Sequence, residues 1–330
     1  MRKNSKKILN IVAIALDIAG APCYHAQYPY EGAKKRLLWK DEEKGMKKYA
    51  KLVCAVLVLA LALGLGACGK AAEPKNALEK IKADGVLTVA LSPDFSPMEF
   101  VDSSKSGQDQ YVGFDVSLAK YLAEELGVKL EIQAMSFDAC QTAVSTGSVP
   151  MSISGYSWTE TRAENFSLSD YYYAGDNETE QVVLIRAEDA DKYTKAEDFD
   201  GKDVGAQNAS LQMQLVTEQL PNANLVTIGE IGVGVLELQS GNIEALAVAD
   251  GNGTQIIANN PDLVKCSWQF DVKAEYEANV VMMHKDEPEL LAAVNAALAK
   301  AYAAGSYGEW YAQALELAAS ASAIEVSVED

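Results

Sequence analysis

"GFDVSLAKYLAEELGVKLEIQAMSFDACQTAVSTGSVPMSIS", residues 113–154, changes its apolar period three times. Phe114, Leu118, Leu122 and Leu126 recur every four residues, which places them on one helical face, and Gly127 ends the run. "VKLEIQA" (128–134) alternates like a half-buried strand. "SFDACQTAVSTG" (136–147) returns to a helical spacing and stops at Gly147, and "VPMSIS" (149–154) is an apolar run of strand length. With "VLTVAL" (86–91) ahead of it, the order is strand, helix, strand, helix, strand, which predicts a parallel sheet with crossover helices.

The pattern recurs downstream. After "EQVVLIR" (180–186), "DVGAQ" (203–207) reads as a strand, "SLQMQLVTEQL" (210–220) as a helix and "ANLVTI" (223–228) as a strand. "IGVGVLELQSG" (231–241) then reads as a helix and "IEALAVA" (243–249) as a strand. "NVVMMHK" (279–285) is a late strand, followed by alanine-rich helices over 287–304 and 306–319. A short helix, "ALEKIKADG" (77–85), precedes the first strand, and two prolines in "SPDFSPMEF" (92–100) predict a turn. The expected fold class is α/β with two lobes, each a parallel-rich sheet flanked by helices, and a ligand cleft between them. Residues 77–180 and 280–330 form the first lobe and 181–279 the second.

Composition narrows the class. The 330 residues carry a net charge of −19, which excludes nucleic acid as a partner. "MKKYAKLVCAVLVLALALGLGAC" (46–68) has a lysine-bearing start, an apolar stretch too short to span a bilayer and a small-residue end. It reads as a secretory signal over 46–67, and its Leu-Gly-Ala-Cys ending resembles the lipobox of bacterial lipoproteins. That resemblance implies lipidation at Cys68 and a tether over 68–76. Residues 1–45 are a doubtful extension, best explained by a misassigned start with Met46 as the true first residue. Residues 1–67 hold twelve basic and five acidic residues, so their removal takes the charge from −19 to −26. Cys140 and Cys266 have no zinc-like spacing and read as buried thiols. The histidines, His25 and His284, exclude most imidazole catalysis and metal binding, so no cofactor is expected.

"SISGYSWTETR" (152–162) ends a core strand with small hydroxyl residues and one arginine. Thr159 is placed to cap a helix bearing Arg162. That helix start offers free N–H groups, Ser157 a hydroxyl, Gly155 close backbone approach and Arg162 a planar fork matched to a carboxylate. The alternative is a structural ion pair of Arg162 with Glu160, Glu164 or Asp170.

"FSPMEFVD" (95–102), residues 111–149 and "ISGYSWTETRAENFSLSDYYY" (153–173) together resemble the amino-acid-type substrate-binding proteins of ABC transporters, extracellular solute-binding family 3. "GKDVGAQNAS" (201–210), "LQSGNIEALAVAD" (238–250) and "LLAAVNAALAKAYAAGSYGEWYA" (290–312) match the same family's later blocks in order. The resemblance implies a type 2 periplasmic-binding-protein fold that closes on a small ligand. It places Phe95 and Phe137 as aromatic residues around the ligand side chain, Gly155 and Ser157 at its amino and carboxylate ends, and Arg162 on its carboxylate. Ser210 and Leu211 fall where backbone N–H groups meet the carboxylate, and Gln207 at a side-chain-sensing position. Departures follow too. Ser92 stands where many members carry an aspartate, with Asp94 nearby but out of register. The position for an ammonium-binding aspartate is Ala249, so either Asp250 takes that contact or the ligand lacks a standard α-amino group. Ala209 replaces a usual glycine.

These features together predict a monomeric, lipid-anchored binding component of an ABC importer on the outer face of the membrane, delivering an amino acid or related small carboxylate to a permease. A polar or neutral amino acid is favoured, because Ser92 replaces the family's aspartate. The alternatives are a dehydratase-like enzyme on the same fold, or a sensing surface lipoprotein.

Overall fold

The computed structural model describes residues 74–172 and 180–327, with side chains to residue 320. The doubtful extension, the signal and Cys68 lie outside the described residues. Helix α1 (Ala77–Asp84) is capped by the Asn76 side chain and closed by left-handed Gly85. Strand β1 (Val86–Leu91) runs parallel to β5 (Lys129–Ala134) over six residues and parallel to β6 (Met151–Ser152) on its other side. Between them lie α2 (Phe114–Leu126), ended by left-handed Gly127, and α3 (Phe137–Ser145). The apolar run 149–154 forms only a two-residue ladder. Ile153 still donates to the Ala90 carbonyl at 3.2 Å, after which Gly155 turns the chain at φ 56°.

The first sheet is completed by β7 (Ser167–Leu168) and the late strand β13 (Met282–Met283), which runs antiparallel to both β6 and β7, giving the order β5-β1-β6-β13-β7. The two prolines do more than turn the chain. They flank β2 (Asp94–Phe95), which with β3 (Glu99–Val101) and β4 (Tyr111–Val112) forms a small antiparallel sheet. The Gly-Phe-Asp start of α2 follows from packing against it. A Cβ on Gly113 would lie 2.3 Å from the Met98 carbonyl oxygen, so no other residue fits without a backbone shift. Phe114 enters the lobe core, stacked on Tyr172 with centroids 6.0 Å apart, and Asp115 is buried beneath the sheet ends.

The second sheet has the order β10-β9-β11-β8-β12. Strands β9 (Asp203–Gln207), β10 (Asn224–Ile228) and β11 (Ala245–Ala249) are parallel, with α5 (Leu211–Gln219) and α6 (Ile231–Gln239) as their connecting helices. Strand β8 (Gln181–Arg186) runs antiparallel to both β11 and β12 (Leu263–Gln269). Its near-continuous apolar run is explained by cover on both faces: Val183 and Ile185 join one core cluster, Val182 and Leu184 the opposite one. Helix α7 (Asp250–Asn259) packs on that opposite face. The apolar pattern predicts no helix here; a Cβ on Gly253 would meet Val248, Leu184 and Val182 at 3.1–3.3 Å, so Gly253 is a packing residue.

The chain passes between the sheets twice, between Tyr172 and Gln181 and between Gln269 and Met282. Asn279 forms isolated bridges to Ser157 and to Tyr172 at the second passage. Helices α8 (Pro288–Ala304) and α9 (Ser306–Ser327) then return to the first lobe, where Leu290, Val294, Leu298 and Tyr307 complete the core around Phe114, Leu118 and Leu122. Cys140 and Cys266 are free and buried in the cores of different lobes. Burial pushes their thiols up to about 12 and about 11.

Candidate functional site

Both sheets send strand ends and helix starts to one cavity of about 480 Å³, its mouth included. From the first lobe come the turn after β1, the turn after β6 and the first residue of α3, Phe137. From the second come Gln207 at the end of β9, the end of β11, and the first residues of α5 and α6, Leu211 and Ile231. Carboxyl ends of strands and N-termini of helices are where an open α/β fold presents unpaired N–H groups.

Arg162 sits on the short helix α4 (Glu160–Asn165), whose start is capped as its sequence predicts: the Thr159 hydroxyl accepts the Arg162 N–H at 3.2 Å. The side chain is only 6% exposed. Its Nη1 donates to the Ser157 carbonyl at 2.7 Å and its Nη2 to the Ala209 carbonyl, on the other lobe, at 3.0 Å. The guanidinium also lies over the rings of Phe137 and Tyr156, at 5.7 and 5.3 Å. The Glu160 carboxylate takes the Tyr276 hydroxyl at 3.0 Å and lies 3.8 Å from Lys273. The guanidinium therefore faces the cavity while touching a carbonyl on each lobe.

Gly155 is positioned from beneath: its N–H donates to Asp115 Oδ2 at 2.7 Å. A Cβ here would lie 2.8 Å from the Phe95 ring, so the glycine lets that ring close one wall. Phe95 packs against core clusters of both lobes. Ser157 is buried, its carbonyl held by Arg162. Ser210 caps α5, its hydroxyl accepting the Met213 N–H at 3.0 Å and its own N–H donating to the Gln207 carbonyl at 3.2 Å. Eight of the nine residues expected at the site thus line this cavity: Phe95, Phe137, Gly155, Ser157, Arg162, Gln207, Ser210 and Leu211.

The ninth, Asp250, stands outside the lining. Strand β11 ends one residue earlier, at Ala249, which lines the cavity with Ala247 and Val248. Asp250 opens α7, and its carboxylate is paired with Lys265 of β12 at 2.6 Å. Tyr171 is 53% exposed, whereas Tyr172 is buried and donates to Asp115 at 2.9 Å.

Asp94 corrects the sequence reading in the opposite direction. It lines the cavity and spans the two lobes: its Oδ2 accepts Gln207 Nε2 at 3.1 Å and the Ile231 N–H at 2.8 Å, while Oδ1 accepts the Ser92 hydroxyl at 2.9 Å. Burial raises the pKa of its carboxyl above the ordinary value, against the lowering effect of the hydrogen bonds from Ile231 and Ser92. The side chain of Ser92, at the family's aspartate position, therefore serves to hold Asp94. Two further contacts cross the gap: Gln141 Nε2 to the Ala209 carbonyl at 3.2 Å and Asn252 Nδ2 to the Ser96 carbonyl at 3.1 Å.

Glu99 was absent from the sequence-derived site. It lines the cavity yet is fully buried, accepting the Ser154 hydroxyl on Oε1 at 2.6 Å. Burial and the Asp115 carboxylate beside it hold its carboxyl well above the usual range. Asp115, raised chiefly by burial, is pushed up to about 6. One signal for Glu99 was present in the sequence: a lone acid inside the apolar run "PMEFV" (97–101).

Comparison with known proteins matches this architecture. The profile of the bacterial extracellular solute-binding proteins, family 3, matches residues 87–316. The arginine-binding extracellular protein ArtP of Bacillus subtilis is 29% identical over 255 residues, covering 77% of this chain and 92% of its own. An amino-acid ABC transporter substrate-binding protein, AbpA from Streptococcus pneumoniae, solved bound to L-arginine, is 33% identical with a TM-score of 0.67. The match covers 73% of this chain and 98% of that one. An ancestral arginine-binding protein solved with glutamine is 28% identical with a TM-score of 0.62, covering 69% of this chain and 97% of that one. A family profile spanning more than two thirds of the sequence, on a two-lobed fold whose strand ends converge on one cavity, makes this chain a bacterial extracellular solute-binding protein of family 3.

Proposed function

We propose that the chain is the extracytoplasmic binding component of an ABC importer and that its ligand is a basic amino acid of the arginine type. The observation that carries this reading is the charge arrangement of one cavity. Arg162, Asp94 and Glu99 all line it, Arg162 over the Phe137 and Tyr156 rings and Asp94 bonded to Gln207 and Ile231, with Phe95 also in its wall. A bidentate guanidinium suits an α-carboxylate, and two carboxylates suit a cationic group brought between aromatic rings. With both acids ionised, these three side chains sum to −1, the complement of a ligand bearing +1. The arginine-bound relatives support the same chemistry. This shifts the preference from the polar or neutral ligand expected from Ser92 alone, because the acid missing at position 92 is supplied by Asp94.

A neutral ligand is the second reading, favoured by one observation: Asp94 Oδ2 already receives two donors from the opposite lobe. Ligand capture then proceeds by closure. The ligand touches both lobes only when they are together, so it shifts the population toward that state. The protein binds and releases its ligand unchanged, acts as a monomer, and is held by a lipid on Cys68 at the outer face of the membrane, where a permease receives the ligand.

Titration calorimetry with arginine, lysine, citrulline and glutamine separates the readings. Tight binding of arginine with much weaker binding of citrulline, its neutral isostere, is expected. Equal affinity for arginine and citrulline overturns the cationic reading, and no binding of any of the four overturns amino-acid capture. Intact mass of the membrane-extracted protein tests the anchor; a mass that includes residues 1–67 and no lipid contradicts it.

A further inference from the structure

Glu99 and Asp115 are adjacent carboxyl groups, both fully buried, on β3 and α2. Their hydrogen bonding is unequal. Asp115 Oδ2 accepts the Gly155 N–H at 2.7 Å, and the Tyr172 hydroxyl lies at 2.9 and 3.0 Å from its two oxygens. Glu99 has the Ser154 hydroxyl on Oε1, while its Oε2, also out of solvent, has no hydrogen-bond partner. The Asp115 carboxylate beside it accepts and does not donate. Two buried carboxylates in contact do not both stay ionised. The donors around Asp115 stabilise its anion, so the shared proton belongs on Glu99, where it supplies the donor the pair otherwise lacks. The directions for both groups agree: burial weakens each as an acid, raising its pKa, and Asp115 raises that of Glu99 further.

Glu99 also lines the ligand cavity. The charged and titratable groups that face it are Asp115 from α2, Asp94 from β2, Tyr156 after β6, and Tyr172 through Asp115; Arg162 on α4 lines the same cavity. Of these, only Arg162 is cationic. A guanidinium or ammonium entering beside Glu99 adds a positive charge next to a neutral acid. An opposite charge at that distance favours the ionised carboxyl by enough to release a proton.

We infer, resting on the cationic-ligand reading above, that capture of a basic amino acid expels one proton from the Glu99–Asp115 pair to the solvent. The O–H bond of the Glu99 carboxyl breaks, the proton passes to bulk buffer, and the freed Glu99 carboxylate faces the ligand cation. Nothing is oxidised or reduced. Apparent affinity for a basic amino acid therefore rises with pH, up to tenfold per pH unit, until Glu99 is ionised in the empty protein. A neutral amino acid leaves the proton in place.

The experiment is titration of the purified full-length protein with L-arginine at one near-neutral pH, in buffers of differing ionisation enthalpy. The slope of observed enthalpy against buffer enthalpy counts protons. About one proton released per arginine is expected in the wild type. A slope near zero in Glu99→Gln and, where that ligand binds, in the wild type with citrulline is also expected. Arginine binding with no proton exchange, or with proton uptake, overturns the inference and leaves arginine capture standing. Absence of any arginine heat overturns the cationic-ligand reading and this inference with it. Because the wild-type slope is decisive by itself, a Glu99→Gln variant that fails to fold does not shield the inference.

Discussion

Replacing Asp94 with asparagine asks whether the bonds across the gap hold the lobes together. Asp94 Oδ2 is reached from the second lobe by Gln207 Nε2 at 3.1 Å and the Ile231 N–H at 2.8 Å. A hydrogen bond to a charged acceptor contributes about 1.5–3 kcal/mol and one to a neutral acceptor about 0.5–1.5 kcal/mol. Two such bonds reduced from charged to neutral weaken closure by about 2 kcal/mol, or roughly 30-fold at about 1.4 kcal/mol per tenfold. The lower desolvation cost of an amide acts in the opposite direction and sets a lower end of about tenfold. Asp94→Asn is therefore expected to raise the arginine Kd roughly 10- to 30-fold by calorimetry. Loss of the cationic contact adds to that figure. Small-angle scattering of the ligand-free variant is expected to show a larger radius of gyration than the wild type. A Kd within about threefold of wild type, together with an unchanged radius, would refute the reasoning.

Three further substitutions probe the walls and the buried acids. Gly155→Ala forces a side chain into left-handed backbone at φ 56° with its Cβ 2.8 Å from the Phe95 ring. The strain of about 1–2 kcal/mol lowers Tm by about 5 °C, and the displaced ring weakens ligand binding further; an unchanged Tm in a melting scan contradicts this. Ala209 holds φ 61° where the family usually has glycine, so Ala209→Gly relieves about 1 kcal/mol of strain, less about half of that for the freer unfolded chain. Calorimetric scanning is expected to show a Tm rise of about 1–2 °C, and a fall would show that the position is unstrained. For Glu99→Gln the readout is stability against pH. The wild-type Glu99 carboxyl holds its proton more tightly folded than unfolded, because burial and Asp115 raise it well above 4.5. Its contribution is thus fully present below 4.5 and lost as pH climbs through the raised folded value. Relative to the variant, in which Asp115 still titrates, wild-type Tm should fall as pH rises above 4.5, and parallel curves would count against the buried pair.

Much of the fold was legible because the period of the apolar residues is a local property. The i+4 spacing of Phe114, Leu118, Leu122 and Leu126, and the glycine after it, specify α2 and its end whatever surrounds them. The direction of β8 was not legible, since a fully apolar strand reads the same either way and its pairing is set by where the chain enters the second lobe. Helix α7 was hidden by Gly251 and Gly253, the latter small because β8 and β11 pass against it.

The candidate site divides along the same line. Arg162 and Gly155 carried their signals locally, in a capping threonine and a strand-ending glycine. Asp94 and Asp250 did not, because each depends on a one- or two-residue offset that tertiary contacts decide. Asp94 reaches the second lobe from β2, the first strand of a hairpin whose turn contains Pro97. Asp250 is outside the lining because β11 ends at Ala249 and Lys265 lies near enough to pair with its carboxylate. The Glu99–Asp115 pair brings together residues sixteen positions apart through the β3–α2 packing at Gly113, which no periodicity encodes.

The most direct test of the account is a crystal structure of the protein with L-arginine. The ligand carboxylate is expected within hydrogen-bonding distance of both terminal nitrogens of Arg162, with the ligand guanidinium at the Asp94 and Glu99 carboxylates. A ligand bound elsewhere, or bound in this cavity with its carboxylate away from Arg162, would contradict it.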